Sequence, residues 1–133
     1  MFRGAVLAGA VFDGCTLLGS RFSQCRLRPI TVTNTDLTLA GLAGADLRGV
    51  TLAGLRLVEA NLGDADLTGA DLRDSDLRGA RLPATKLVGA DLRGARLGAD
   101  ALVQANLRGA RVDLATAVAV AAAHGLLVDL GDS

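Results

Sequence analysis

The chain has 133 residues, half of them apolar but only 2% aromatic, and fourteen acids balance fourteen bases to a net charge of zero. A single domain is the natural scale for this length, but three Phe with no Trp or Tyr are too few for a conventional globular core. Neutrality and the lack of aromatic residues outside the core also speak against direct nucleic-acid binding.

From Phe2 to Val112 a large apolar residue returns every fifth position. The series is Phe2, Leu7, Phe12, Leu17, Phe22, Leu27, Val32, an unbroken run of Leu from Leu37 to Leu107, then Val112. Two residues before each stands a second series, mostly Ala, as at Ala40, Ala45, Ala60, Ala65, Ala70, Ala80 and Ala90. An α-helix would turn each step of five by a net ~140° and scatter the Leu round its surface. A straight strand would send successive Leu to opposite faces, because its side chains alternate. A strand that bends once per repeat points every Leu inward with the Ala series beside it, leaving three positions of each five to water. Repeats this short are turns of one continuous solenoid. Turn chemistry agrees. Gly stands two after the Leu in most repeats, and Asp or Asn often stands just before it (Asp46, Asn61, Asp66, Asp71, Asp76, Asp91, Asn106), where its side chain can bond turn backbone.

Charge is unevenly placed along this frame. Between 59 and 76, Glu59, Asp64, Asp66, Asp71, Asp74 and Asp76 stand against Arg73 alone, a net of −5. Between 78 and 111, Arg78, Arg81, Lys86, Arg93, Arg96, Arg108 and Arg111 stand against Asp91 and Asp100, a net of +5. Asp100 falls in the inward register, where an unpartnered charge is costly, so a local adjustment of the coil over Gly98 to Ala101 is expected. Cys15 and Cys25 also sit at inward small-residue positions; their spacing matches no zinc pattern, and they read as packing.

After Val112 the five-residue rule stops. Asp113 is a suitable N-cap, Leu114 to Ala123 is rich in helix formers, and Gly125 is placed as the C′ stop. This helix is apolar nearly all round and must be covered on more than one side. One side can close the end of the coil. The other, with Leu126 and Leu127, is expected to form a homodimer through Ala115, Val118, Ala119, Ala122, Leu126 and Leu127. His124, the single histidine, reads as the last helical residue facing the helix C-terminus.

The stretches Ala-Asp-Leu-Arg-Gly (45–49 and 90–94), Ala-Asp-Leu-Thr-Gly (65–69) and Ala-Asn-Leu-Arg-Gly (105–109) resemble the pentapeptide repeat family. The resemblance implies an all-β solenoid, a right-handed quadrilateral β-helix with four pentapeptides per coil, over residues 1–112. Residues 113–133 would then be a C-terminal α-helix and apolar tail that cap and dimerise it. At ~4.8 Å per coil, some five and a half coils would make a rod of roughly 26 Å. Cys-Arg-Leu-Arg-Pro (25–29), Asp-Leu-Thr-Leu-Ala (36–40) and the ending from Gly109 to Leu126 are similar, more narrowly, to the fluoroquinolone-resistance branch of MfpA and Qnr-like proteins. That resemblance implies a homodimer that binds DNA gyrase by imitating duplex DNA, with the acidic belt Glu59, Asp64, Asp66, Asp71, Asp74 and Asp76 as the partner-binding surface. The chain opens directly in the repeats, so a shorter rod than that branch is expected.

No catalytic constellation is visible: no nucleophile is paired with a base, and no metal-ligand cluster or phosphate-cradling loop occurs. No enzyme, cofactor or metal is therefore expected. The amino terminus lacks a basic start followed by an apolar run, and the longest apolar run, Ala117 to Ala123, is far short of the ~20 residues of a membrane span. A soluble cytoplasmic protein follows. Two functions remain: a gyrase-interacting protein acting by partial DNA mimicry, or a structural or protein-interaction module with no topoisomerase role.

Overall fold

The structure is a computed structural model that describes residues 11–13, 19–20, 31–127 and 129. Cys15, Cys25, the inward residues before 31 other than Phe12, and most of the tail after Leu127 lie outside the described residues.

A bend at every fifth residue and a step of twenty residues between neighbours define the architecture. Strand β1 (Val11–Asp13) pairs in parallel with β2 (Thr31–Thr33), Val11 opposite Thr31. Every isolated bridge among the described residues repeats that offset, from Asp36 opposite Arg56 to Asp91 opposite Arg111. Four pentapeptides therefore complete one coil, and the coil has four walls. Their central inward residues are Val32, Leu52, Leu72, Leu92 and Val112 on the first; Leu37, Leu57, Leu77 and Leu97 on the second; Leu42, Leu62, Leu82 and Leu102 on the third; Leu47, Leu67, Leu87 and Leu107 on the fourth. Regular strands are fewer than an all-β reading suggests. A wall so short holds one paired residue between bends, so most of the ladder consists of single bridges.

One repeat shows the local mechanics. Leu67 N–H donates to the Lys86 carbonyl at 2.8 Å and Gly69 N–H to the Val88 carbonyl at 2.8 Å, both in the next coil. Ala70 N–H closes the bend on the Leu67 carbonyl at 2.9 Å, with Gly69 at φ 71°. That third turn position requires the left-handed region. Glycine fills it in most repeats, but Leu39, Glu59, Asp64, Asp74 and Ala84 adopt it with positive φ.

The interior matches the period-five reading. Every Leu from Leu37 to Leu92 in the series is 4% exposed or less, and Ala40, Ala45, Ala60, Ala65 and Ala90 are fully buried. Where the small-residue series carries a hydroxyl, the coil satisfies it. Ser75 Oγ donates to the Leu72 carbonyl at 2.7 Å and Thr85 Oγ1 to the Leu62 carbonyl at 2.6 Å.

The register breaks at the place marked by Asp100. Residues Ala99–Val103 form a short helix, α1, instead of the third wall's next bridge. The extra turn rotates Asp100 to an exposed position and drives Leu102 fully into the interior. The ladder resumes where Ala84 N–H meets the Gln104 carbonyl at 3.0 Å. From residue 31 to 112 the chain is thus a coil interrupted by one helical turn, because a buried carboxylate costs more than the lost bridge.

Helix α2 spans Leu114–Ala123. It ends in a Schellman motif: Gly125 N–H bonds the Ala122 carbonyl, Leu126 N–H bonds the Ala121 carbonyl, and Gly125 has φ 82°. The helix packs against α1, and Val120 touches the core. None of its residues is buried. Leu97, Leu107 and Val112 in the last coil remain only partly covered.

Two substitutions probe this scaffold in opposite directions. Leu67→Ala, at a fully buried site, is expected to lower unfolding free energy by about 3 kcal/mol. Ala84→Gly, which relieves a left-handed Ala, is expected to raise it by ~0.5 kcal/mol after the added freedom of the unfolded chain is deducted. Urea titration monitored by far-UV circular dichroism measures both.

Candidate interaction surface

The residue before each central Leu begins the outward surface, and its carboxylate is bound by the turn itself. In the Asp-Leu-Arg repeats, Asp Oδ1 accepts the backbone N–H and the Nε–H of the Arg two residues on, while Oδ2 accepts Nη2. Asp71 and Arg73 make these contacts at 3.1, 3.0 and 2.8 Å. Asp76 and Arg78 make them at 3.2, 2.9 and 2.7 Å. Asp46–Arg48 and Asp91–Arg93 repeat the fork. Asp36 and Asp66 instead accept the backbone N–H and hydroxyl of Thr38 and Thr68. Coils are also cross-linked, since Arg73 Nε lies 3.9 Å from Asp91 Oδ2.

These contacts favour the ionised acids. The Arg78 fork holds the Asp76 carboxyl down to about 2, and the Arg93 fork does the same to Asp91. Asp71 is lowered by Arg73, against the opposing effects of partial desolvation and the neighbouring Asp91.

The acidic belt read from the sequence consequently divides in two. Asp66, Asp71 and Asp76 are half-buried and committed to their own turns. Glu59, Asp64 and Asp74 occupy the left-handed corner positions and are exposed. The Glu59 side chain lies against Gly79 of the next coil, and the Asp74 carboxylate leans over Gly94 in space that a Cβ would take. Register relative to Leu separates the two groups: the acids before Leu bond the turn, and those two residues after it stand at exposed corners.

The basic coils divide in the same way. Arg78 and Arg93 are forked to aspartates. Arg81, Lys86, Arg96, Arg108 and Arg111 have no carboxylate within 4 Å among the described residues.

Helix α2 presents the residues assigned to a dimer. Ala115, Ala119 and Ala122 are exposed and Val118 is half-buried; Leu126 is 61% and Leu127 100% exposed. Leu114 adds a further 70% exposed side chain that the sequence reading left out. Asp113 stands at the N-cap, but its carboxylate does not cap the helix. Asp113 Oδ2 instead accepts Gly94 N–H at 2.6 Å, while its backbone carbonyl accepts Ala117 N–H. It therefore ties α2 to the last coil. His124 is the exposed C-cap residue, its N–H shared between the Val120 and Ala121 carbonyls.

No group of three or more His, Cys, Asp or Glu among the described residues could hold a metal ion, and no described helix is long and apolar enough to cross a membrane.

The family of pentapeptide repeats matches residues 1–28 and 60–98 in eight copies, just over half of the chain. The chain belongs to the pentapeptide repeat family. With the twenty-residue register, this makes it a right-handed β-helical solenoid. Over 43 residues it is 50% identical to the pentapeptide repeat protein MfpA of Mycobacterium tuberculosis, a stretch covering 32% of this chain and 24% of that protein. The solved pentapeptide repeat protein Rfr23 of the cyanobacterium Cyanothece 51142 shares the fold at a TM-score of 0.68 and 23% identity, with 84% of this chain and 86% of that chain covered. Trypsin-treated QnrB1, a plasmid-mediated fluoroquinolone resistance protein, shares it at 0.61 and 20%, with 95% and 83% covered. At these identities both structures speak for the fold alone.

The forks make a pH prediction. A carboxyl whose pKa falls from an ordinary 3.8 to about 2 on folding contributes stability that is present above the unfolded value. That stability is lost as the pH drops through the folded value. The melting temperature is expected to hold from pH 7 to about 4 and then to fall toward pH 2. Replacing both Asp76 and Asp91 by Asn should flatten that fall in differential scanning calorimetry.

Proposed function

We propose that this protein binds a type II topoisomerase, DNA gyrase, in the manner of the fluoroquinolone-resistance branch, as a homodimer joined through α2. The likeness to MfpA, half identical over 43 residues, carries this reading. The exposed apolar helix that ends the rod supports the dimer. In this reading the rod's straight walls offer shape, and Glu59, Asp64 and Asp74 offer the free carboxylates that a basic groove would take up. Asp66, Asp71 and Asp76 serve the turns, so imitation of duplex DNA, with its charge every ~1.7 Å, is partial.

A second reading, an interaction module with no topoisomerase role, is favoured by the pairing of half the belt with neighbouring side chains. Recovery of a different protein and no gyrase subunit in a pull-down would favour it.

A gyrase supercoiling assay tests the first reading: the pure protein should inhibit supercoiling or rescue the enzyme from a fluoroquinolone. Joint replacement of Glu59, Asp64 and Asp74 by Lys is expected to weaken that effect at least about tenfold, ~1.4 kcal/mol, with the melting temperature unchanged. Asp71→Asn with Asp76→Asn should do the reverse. No effect of the wild-type protein at tens of micromolar would reject the gyrase role. Light scattering should give a dimer that Leu127→Asp converts to a monomer; because Leu127 is fully exposed, the folded coil should be unaffected.

A further inference from the structure

The unpaired cations of the basic coils have no part in binding a basic groove, and two of them stand at one edge of the rod. Where the fourth wall bends into the first, the corner positions are Gly49, Gly69, Gly89 and Gly109, exposed glycines stacked one per coil. Around Gly69 and Gly89 the absence of side chains opens a groove of about 390 Å³, lined by Ala70, Asp71, Arg73, Asp91, Arg93 and Arg111 besides the two glycines. Arg108 stands on the fourth wall, one residue before the Gly109 corner, and Arg111 lines the groove from the first. Neither has a carboxylate within 4 Å among the described residues.

We propose that this corner is a docking groove for an extended acidic segment of a partner protein. Of the charged side chains that line it, the one left without an opposite partner is a cation, Arg111. Asp71 and Asp91 are forked to Arg73 and Arg93, and Asp113 accepts Gly94 N–H. The two forks also fix their guanidiniums. Each spends Nε–H and one Nη2 bond on its aspartate, which leaves further N–H donors of the five on a guanidinium turned outward. Fixed donors along the floor and unpaired cations at the rim suit carboxylates on a thin chain. The bare corner admits a backbone where a bulkier element would strike the Arg side chains. Nucleic acid fits less well, since residues 31–127 contain no Phe, Tyr or Trp on which a base could stack. The groove is separate from the corners holding Glu59, Asp64 and Asp74, so it stands or falls independently of the gyrase reading.

The test uses the full chain and a fluorescein-labelled hexaglutamate peptide, with anisotropy measured at low ionic strength. Saturable binding that weakens with added salt is expected. Arg108→Glu with Arg111→Glu should reduce affinity at least about tenfold. Arg81→Glu, on the third wall, should change it less than about twofold, because it is remote from the groove. Gly89→Asn leaves the charge unaltered and suits a left-handed residue. Its Cβ enters open space, so it should obstruct the groove and weaken binding while far-UV circular dichroism stays constant. Absence of binding, or equal losses from Arg81→Glu and the Arg108/Arg111 pair, would overturn the proposal. So would tighter binding of an oligothymidylate that displaces the peptide, because it would assign the groove to phosphodiester chains.

Discussion

The inter-coil backbone ladder is the constraint on which the rest depends. From Leu37 to Leu92 each central Leu except Leu82, whose partner position falls in α1, donates its N–H to a carbonyl nineteen residues on, as Leu47 does to Asp66 and Leu67 to Lys86. A donor that must meet the next coil at a fixed offset tolerates no change in repeat length. It also forces a bend at every fifth residue, since only a bend keeps the Leu on the inside. Hydrophobic burial then follows from the same geometry: the Leu series seals the axis, and the small series leaves room for it. Because neighbouring coils satisfy most of the backbone, the outward side chains are free to carry chemistry without endangering the fold.

Much of that outward chemistry is nonetheless absorbed by the coil. An Asp before Leu is well placed to accept the N–H two residues later, and when Arg follows, the guanidinium closes on the same carboxylate. Such an acid is a turn component first and a surface charge second. Formal charge along the sequence therefore overstates the field that a partner meets. What remains free is sorted by height: corner acids Glu59, Asp64 and Asp74 in one coil, cations Arg81, Lys86, Arg96, Arg108 and Arg111 beyond it. A rod with this arrangement offers different chemistry at different levels of one surface.

The far end of the rod obeys a different rule. A solenoid leaves its last coil without a neighbour, and here partial burial of Leu97, Leu107 and Val112 records that debt. Helix α1 fills the interior with Leu102, and α2 is tied down through Asp113 and Val120. Neither hides the apolar outer face that includes Leu114, Leu126 and Leu127.

The period-five series, read with side-chain parity, was enough to determine from sequence that Leu37 to Leu92 face inward, that the chain bends each repeat, and that a helix begins after Asp113. These are local facts, set by residues within one or two repeats of each other. The break at Asp100 was legible for the same reason, as a charge in an apolar register, but its resolution as the helical turn α1 was not. Tertiary structure decided which acids are free: Asp71, just before Leu72, is closed by the Arg73 fork, whereas Asp74, two residues after it, stands exposed at the bend. It also decided that Arg108 and Arg111 share an edge with Gly69 and Gly89. Residues twenty apart become neighbours only when the coil closes, so surface proximity belongs to the stacked coils rather than to any one repeat.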